Sequence, residues 1–273
     1  LGTLRGKTRV LAALAPLALA LVGCSHAVER VPAPTARPLV HDERIPEPVT
    51  PELNFEGFNP GNIISDEVFF NSETMSVQEI QDFLDEVGYG CREGSVPCIS
   101  QYVEDTKTYA GGKYCGDYVG AEGESAAEII YYSALQCSIN PQVLLVMLQK
   151  EQGLLTASGF RLNESRYEIA MGYGCPDNAD CGSEFYGFSN QVYSAAKQLK
   201  RYQTEPGQYR VKPGQENQIL FNPDPDCGES TVYVENAATA ALYNYTPYQP
   251  GGEDGCASHG NLNFYAYFNA WFG

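Results

Sequence analysis

The chain has 273 residues with 34 acidic against 17 basic side chains, a formal charge of −17 at pH 7. That balance excludes nucleic acid as a partner and disfavours charge-driven docking on anionic lipid, because phosphate recognition needs a basic footprint. Nine cysteines in one chain point instead to an oxidising, exported setting.

The first element reads as an export signal. Arg5, Lys7 and Arg9 precede an apolar run from Val10 to Val22, which is too short and wrongly flanked for a membrane-spanning helix. Leu21-Val22-Gly23-Cys24 resembles a bacterial lipobox. That resemblance implies cleavage before Cys24 and acylation of its sulfur and new amino group. Several acyl chains on one residue would give a stable anchor at the outer face of the cell membrane. An ordinary signal peptide with an incidental cysteine is the alternative. Residues 24–53 follow as a proline-rich stalk, with Pro32, Pro34, Pro38, Pro46, Pro48 and Pro51 in sparse apolar company. Residues 54–273 are long enough to bury one substantial core.

Within that domain the periodicity predicts a mainly α fold with long cysteine-containing loops. Ser76-x-x-Glu79 opens a helix with Ile80, Phe83, Leu84 and Val87 on one face, and Gly88 stops it. Ser125-x-x-Glu128 opens a second, and Asn140-Pro141 a third that runs to Gln152. A fourth helix covers 188–202, a fifth 230–245, and a sixth, aromatic one 261–272. A strand is expected only at 218–221. Apart from Cys24, eight cysteines remain: an even number, with Cys91–Cys98 and Cys175–Cys181 the expected local pairs. No CxxC pair occurs and the histidines are scattered, so neither a metal nor a cofactor is expected. The acidic loop 222–229 has prolines where a calcium loop needs its turn.

One residue stands out. On a helical wheel Glu151 shares a stripe with Leu144, Met147 and Leu148, while Gln149 and Lys150 rotate away. A carboxylate on an apolar stripe must be paired, protonated or set at the lip of a cleft. Desolvation and the negative end of the helix dipole both favour the protonated acid, the form a general acid needs. The plainer reading is a glutamate that reaches solvent in the last helical turn. Tyrosines crowd 173–188 and 241–252, on loops rather than along one helix face, where they could stack on sugars or simply fill a core.

The runs "LLVMLQKEQGLL", "YEIAMGYGCPD" and "AALYNYTPYQP" occur in the order found in the lysozyme-like, soluble lytic transglycosylase superfamily. With Lys-Glu-Gln-Gly, Cys-Pro-Asp and Tyr-Thr-Pro-Tyr, residues 55–273 are similar to exported actinobacterial lysozyme-like lipoproteins. The resemblance implies a lysozyme-like helical domain in which Glu151 is the catalytic acid. It also implies that Met171, Tyr173, Tyr243, Asn244 and Tyr245 contact substrate. The substrate would be the MurNAc-GlcNAc glycan of peptidoglycan, cleaved by lytic transglycosylation or by hydrolysis. Departures are Gln152 in place of serine, no glutamine in Ile169-Ala170-Met171-Gly172, and Tyr245-Thr246 in place of Ala-Gly. They leave open a non-catalytic glycan-binding or scaffold module with a degenerate cleft. A hydrolase would need a second carboxylate, for which Asp177, Asp180 and Glu184 are candidates. A cysteine hydrolase is the third reading, with His259 the only histidine of the domain available to it.

Overall fold

Ser76 and Ser125 each close a capping box, their hydroxyls accepting from the backbone N–H of Glu79 and Glu128 while those glutamates reach back to the serine N–H. They start the helices that we call α2 (Val77–Val87) and α3 (Ala126–Cys137); a four-residue α1 (Asp66–Phe69) precedes both. In this computed structural model the described residues are 33, 35–36, 48–176, 179–252, 256 and 258–273. The expected leader, Cys24, most of the expected stalk and Asp177 lie outside them. The chain divides into units 1–31 and 32–273, and the description below concerns the second. Among the described residues no helix is long and apolar enough to cross a membrane.

The remaining helices are α4 (Pro141–Gln152), α5 (Glu164–Glu168), α6 (Phe188–Thr204), α7 (Ala237–Tyr245) and α8 (Gly260–Phe272). α4 is the centre. Val143 through Gln149 are all buried, so the helix is enclosed on every side rather than along one stripe. Asn140 fixes its start by accepting from Gln142 N–H (2.8 Å) and donating to the Val68 carbonyl (2.9 Å). Gly153, at φ +58°, ends it in the left-handed region that favours glycine. α3 packs on one side of α4 and α8 on another, and α6 packs against both α3 and α7.

α6 lacks a side-chain cap of its own at Gly187. Glu104 supplies one from afar, accepting from Ser189 N–H (2.8 Å) and from the Tyr102 hydroxyl (2.7 Å). Glu104 sits on a two-residue strand, β1 (Val103–Glu104), paired antiparallel with β2 (Glu124–Ser125). The second sheet is a hairpin, β3 (Gln215–Leu220) against β4 (Glu229–Val234), in register from Gln215↔Val234 to Leu220↔Glu229.

The hairpin corrects the expected fifth helix. Ser230-Thr231-Val232-Tyr233-Val234 alternates buried and exposed and is rich in β-branched residues, so it forms a strand. Helix begins only after Asn236, whose side chain accepts from Thr239 N–H (2.8 Å). Gly88 does end α2, but with φ −83°. Its small size matters instead, since a Cβ there would stand 2.8 Å from the Leu84 carbonyl oxygen.

Four disulfides tie the loops: Cys91–Cys98, Cys115–Cys137, Cys175–Cys181 and Cys227–Cys256. Both expected local pairs form. Each of the eight cysteines in the described domain is thereby consumed, which removes the thiolate that a cysteine hydrolase needs.

Candidate functional site

The last turn of α4 brings Glu151 beside Gly172, one of the residues that line a cleft. Its carboxylate Oε2 lies 3.3 Å from where a Cβ would stand on Gly172, which has φ +65° and therefore both the backbone freedom and the room that the carboxylate uses. Beyond Gly172 opens a cleft of about 410 Å³ lined by Gly172, Tyr173, Gly174, Cys175, Pro176, Gln198, Tyr202, Asn244 and Tyr245. Its floor comes from the 171–176 turn, one wall from α6 and the other from the end of α7. The Cys175–Cys181 bridge fastens the rim.

Lys150 does not rotate away from Glu151 as the helical wheel suggested. Its side chain is 5 % exposed and curls along the helix end, placing Nζ 2.6 Å from Glu151 Oε1. The same Nζ donates to Thr246 Oγ1 at 2.6 Å. Glu151 itself keeps 23 % exposure, and Oε1, although close to Lys150, accepts no well-aligned hydrogen bond. One oxygen is thus held toward the protein while the other faces Gly172.

Thr246 is shared by three parts of the molecule. Beyond its hydroxyl bond to Lys150, its carbonyl accepts from Asn261 Nδ2 (2.8 Å), and its methyl lies 2.7 Å from where a Cβ on Gly260 would stand. The first turn of α8 therefore abuts the residue that anchors the partner of Glu151.

The tyrosines divide by role. Tyr173 and Tyr202 are partly exposed to the cleft. Tyr173 packs edge-on against Phe185 with ring centroids 4.9 Å apart, and burial raises its phenol pKa, partly opposed by the positive charge of Arg201. Burial pushes the Tyr202 phenol up to about 12; its hydroxyl donates to the Asn244 carbonyl (2.9 Å). Tyr245 presents its ring to the cleft but encloses its hydroxyl, which donates to the Met171 carbonyl (2.8 Å). Burial, and then the nearby Glu151 carboxylate, hold that phenol well above the ordinary tyrosine range, so it remains a neutral donor.

Three of the residues expected to contact substrate do something else. Met171 is fully buried beneath the cleft and offers only its backbone, because Ile169–Gly172 folds into a turn that buries its middle. Tyr243 points into the core on the inward face of α7, and its buried hydroxyl has no hydrogen-bond partner among the described residues. Asn244 borders the cleft, but its amide is committed: Oδ1 accepts from Val211 N–H (3.0 Å) and Nδ2 donates to the Val211 carbonyl (2.8 Å). Asn244→Ala is expected to cost about 2–3 kcal/mol in chemical denaturation, since it strands two backbone groups of buried Val211. A residue that merely touched glycan would lower glycan binding and leave the denaturation midpoint in place.

Gln191 is the residue sequence reasoning missed. It is completely buried on α6, accepts from Met171 N–H (3.2 Å) and Tyr173 N–H (3.0 Å), and donates to the Tyr173 and Phe185 carbonyls (2.9 and 2.8 Å). Those four bonds hold the turn that places Gly172 against Glu151. The one available signal was a glutamine interrupting the inward face shared with Val192 and Ala195. The other candidate carboxylates, Asp180 and Glu184, are exposed, and Glu184 folds against Gly182.

No curated protein and no solved structure matches the chain. A family model does, from residue 62 to residue 273, and it is described as LasA, N-terminal domain. The match spans α1 through α8, the cleft and all four disulfides, and the chain thus belongs to the LasA N-terminal domain family.

Proposed function

We propose that this protein is a peptidoglycan glycosidase that cleaves the MurNAc-GlcNAc backbone with Glu151 as its single general acid and base, from a lipid anchor at Cys24. The observation that carries the reading is the placement of Glu151 Oε2 against Gly172, one of the residues that line the tyrosine-walled cleft. Membership of the LasA family supports a cell-wall-acting extracellular protein, and four disulfides suit an exported one. Tyrosine rings offer flat apolar faces to sugars, with hydroxyl groups at their edges.

In the proposed reaction the Glu151 carboxylic acid gives its proton to the glycosidic oxygen as the C1–O bond breaks. The substrate N-acetyl oxygen supports the developing positive charge at C1. The Glu151 carboxylate then takes the proton from the C6 hydroxyl, whose oxygen closes on C1. The glutamate ends as it began, protonated, and the product is a 1,6-anhydro sugar formed without water. This route needs no second carboxylate, which agrees with the exposed positions of Asp180 and Glu184.

One observation favours the non-catalytic alternative. Lys150 lies 2.6 Å from Glu151 Oε1, and a carboxylate so paired can serve as a structural charge. Digestion of purified peptidoglycan with the protein, followed by mass spectrometry of soluble muropeptides, separates the readings. Anhydro-ended fragments are expected. Reducing ends would replace transglycosylation by hydrolysis, and wall binding with no release would leave a binding module.

A further inference from the structure

Among the described residues that line the cleft, none carries a charge. In a chain with 34 acidic and 17 basic side chains that makes a neutral recess, suited to an uncharged ligand group rather than to a carboxylate or an amine. Its capacity for hydrogen bonds is also largely spent. Asn244 gives both ends of its amide to Val211, and the hydroxyls of Tyr202 and Tyr245 donate to the Asn244 and Met171 carbonyls. On the floor, the Tyr173 N–H and carbonyl are both held by Gln191, and the Gly174 carbonyl accepts from Gly182 N–H (2.8 Å).

Two side chains of the lining keep capacity for a ligand. The Tyr173 hydroxyl has no hydrogen-bond partner among the described residues, while its ring is fixed edge-on against Phe185. Gln198 stands on α6 in one stripe with Gln191 and Tyr202, seven residues after the first and four before the second. Its Nε2 donates to the Tyr209 hydroxyl at 3.4 Å, a long bond, and its Oε1 accepts nothing among the described residues. Tyr209 is itself held: its ring lies at right angles to that of Tyr202, with centroids 4.5 Å apart, and the Arg201 guanidinium stands 5.8 Å from its centre. The amide nitrogen is thus tied to a fixed phenol, and the amide oxygen is left for a ligand.

We propose that Gln198 and Tyr173 together read the acetamido group of an N-acetylated sugar in the cleft. The inference rests on the glycosidase reading for its ligand and names the part of the glycan that the cleft selects. A trans amide points its N–H and its carbonyl in opposite directions, so recognising both takes an acceptor and a donor from two different groups. Gln198 Oε1 accepts from the acetamido N–H, and the Tyr173 hydroxyl donates to the acetamido carbonyl. The acetamido methyl packs on the tyrosine rings beside them. A sugar hydroxyl in the same place is too short to meet both groups and brings no methyl.

The test compares, by calorimetry on the full chain, chitotetraose with cellotetraose. The first is a β-1,4 tetramer of N-acetylglucosamine, and the second has the same backbone with a hydroxyl in place of each acetamido group. Chitotetraose is expected to bind at least about tenfold more tightly. Gln198→Leu or Tyr173→Phe alone should bring that ratio to about threefold, and the two together close to unity. A merely structural role would weaken both sugars alike and leave the ratio where it was, which would overturn the assignment. Equal affinity of the wild-type chain for the two sugars, or none for either, would also overturn it. Should Gln198→Leu fail to fold, Gln198→Met, of matched length and without the amide, carries the same expectation. Digestion of purified wall is measured beside these. Digestion without the acetamido preference sinks this contact alone, and the preference without digestion sinks the glycosidase reading alone.

Discussion

Glu151→Gln is expected to lower release of muropeptides by about 10²–10⁴-fold, the range that a positioned general acid contributes. Glutamine matches glutamate in shape, so the contact with Gly172 survives while the transferable proton is lost. The substitution also removes the negative partner of Lys150, whose side chain is 5 % exposed. The single variant should therefore lose about 1–3 kcal/mol of stability, because a largely buried ammonium group is left with only Thr246. Lys150→Met/Glu151→Gln should regain much of that stability and none of the activity. Release at the wild-type rate by folded Glu151→Gln would remove Glu151 from the chemistry altogether.

A comparable effect on folding is expected from Gln191→Leu. Leucine fills similar volume but leaves two N–H groups and two carbonyls without the partners they have in the native protein. Each stranded group costs about 1–3 kcal/mol, and with some relaxation the total should come to about 3–5 kcal/mol. For a domain of this size that corresponds to a melting point about 10 °C lower. Gln191→Glu keeps the acceptor and loses both donations, so it should fall between wild type and leucine. A melting point for Gln191→Leu within a degree of wild type would mean that the turn holds Gly172 in place without this side chain.

These two residues also show what a linear reading can see. α2 and α3 announced themselves because a capping box is local, its partners three residues apart. Glu151 was singled out by a partly mistaken route. The leucine stripe was no guide to one face, since α4 is buried all round; position in the final turn is what sets the carboxylate beside Gly172. Lys150 was misplaced because a helical wheel follows Cα directions, whereas a four-carbon stem can lie along apolar surface and bring its charge a long way round. Gln191 and Asn244 were illegible for a different reason. Their partners lie 6 to 33 residues away, and an amide gives no hint in sequence of which backbone it will satisfy. β4 was lost to a helix because apolar residues recur along the whole of Ser230–Tyr245 and only Glu235-Asn236 marks the break.

The crowding around Thr246 has a consequence for what this position can hold. Its hydroxyl, carbonyl and methyl are each engaged, by Lys150, Asn261 and Gly260 respectively. The Ala-Gly pair of the resembled superfamily would remove the hydroxyl and methyl contacts at one stroke. Positions 150, 246, 260 and 261 thus form one packed unit: replacing the threonine unseats the lysine and the first turn of the final helix together.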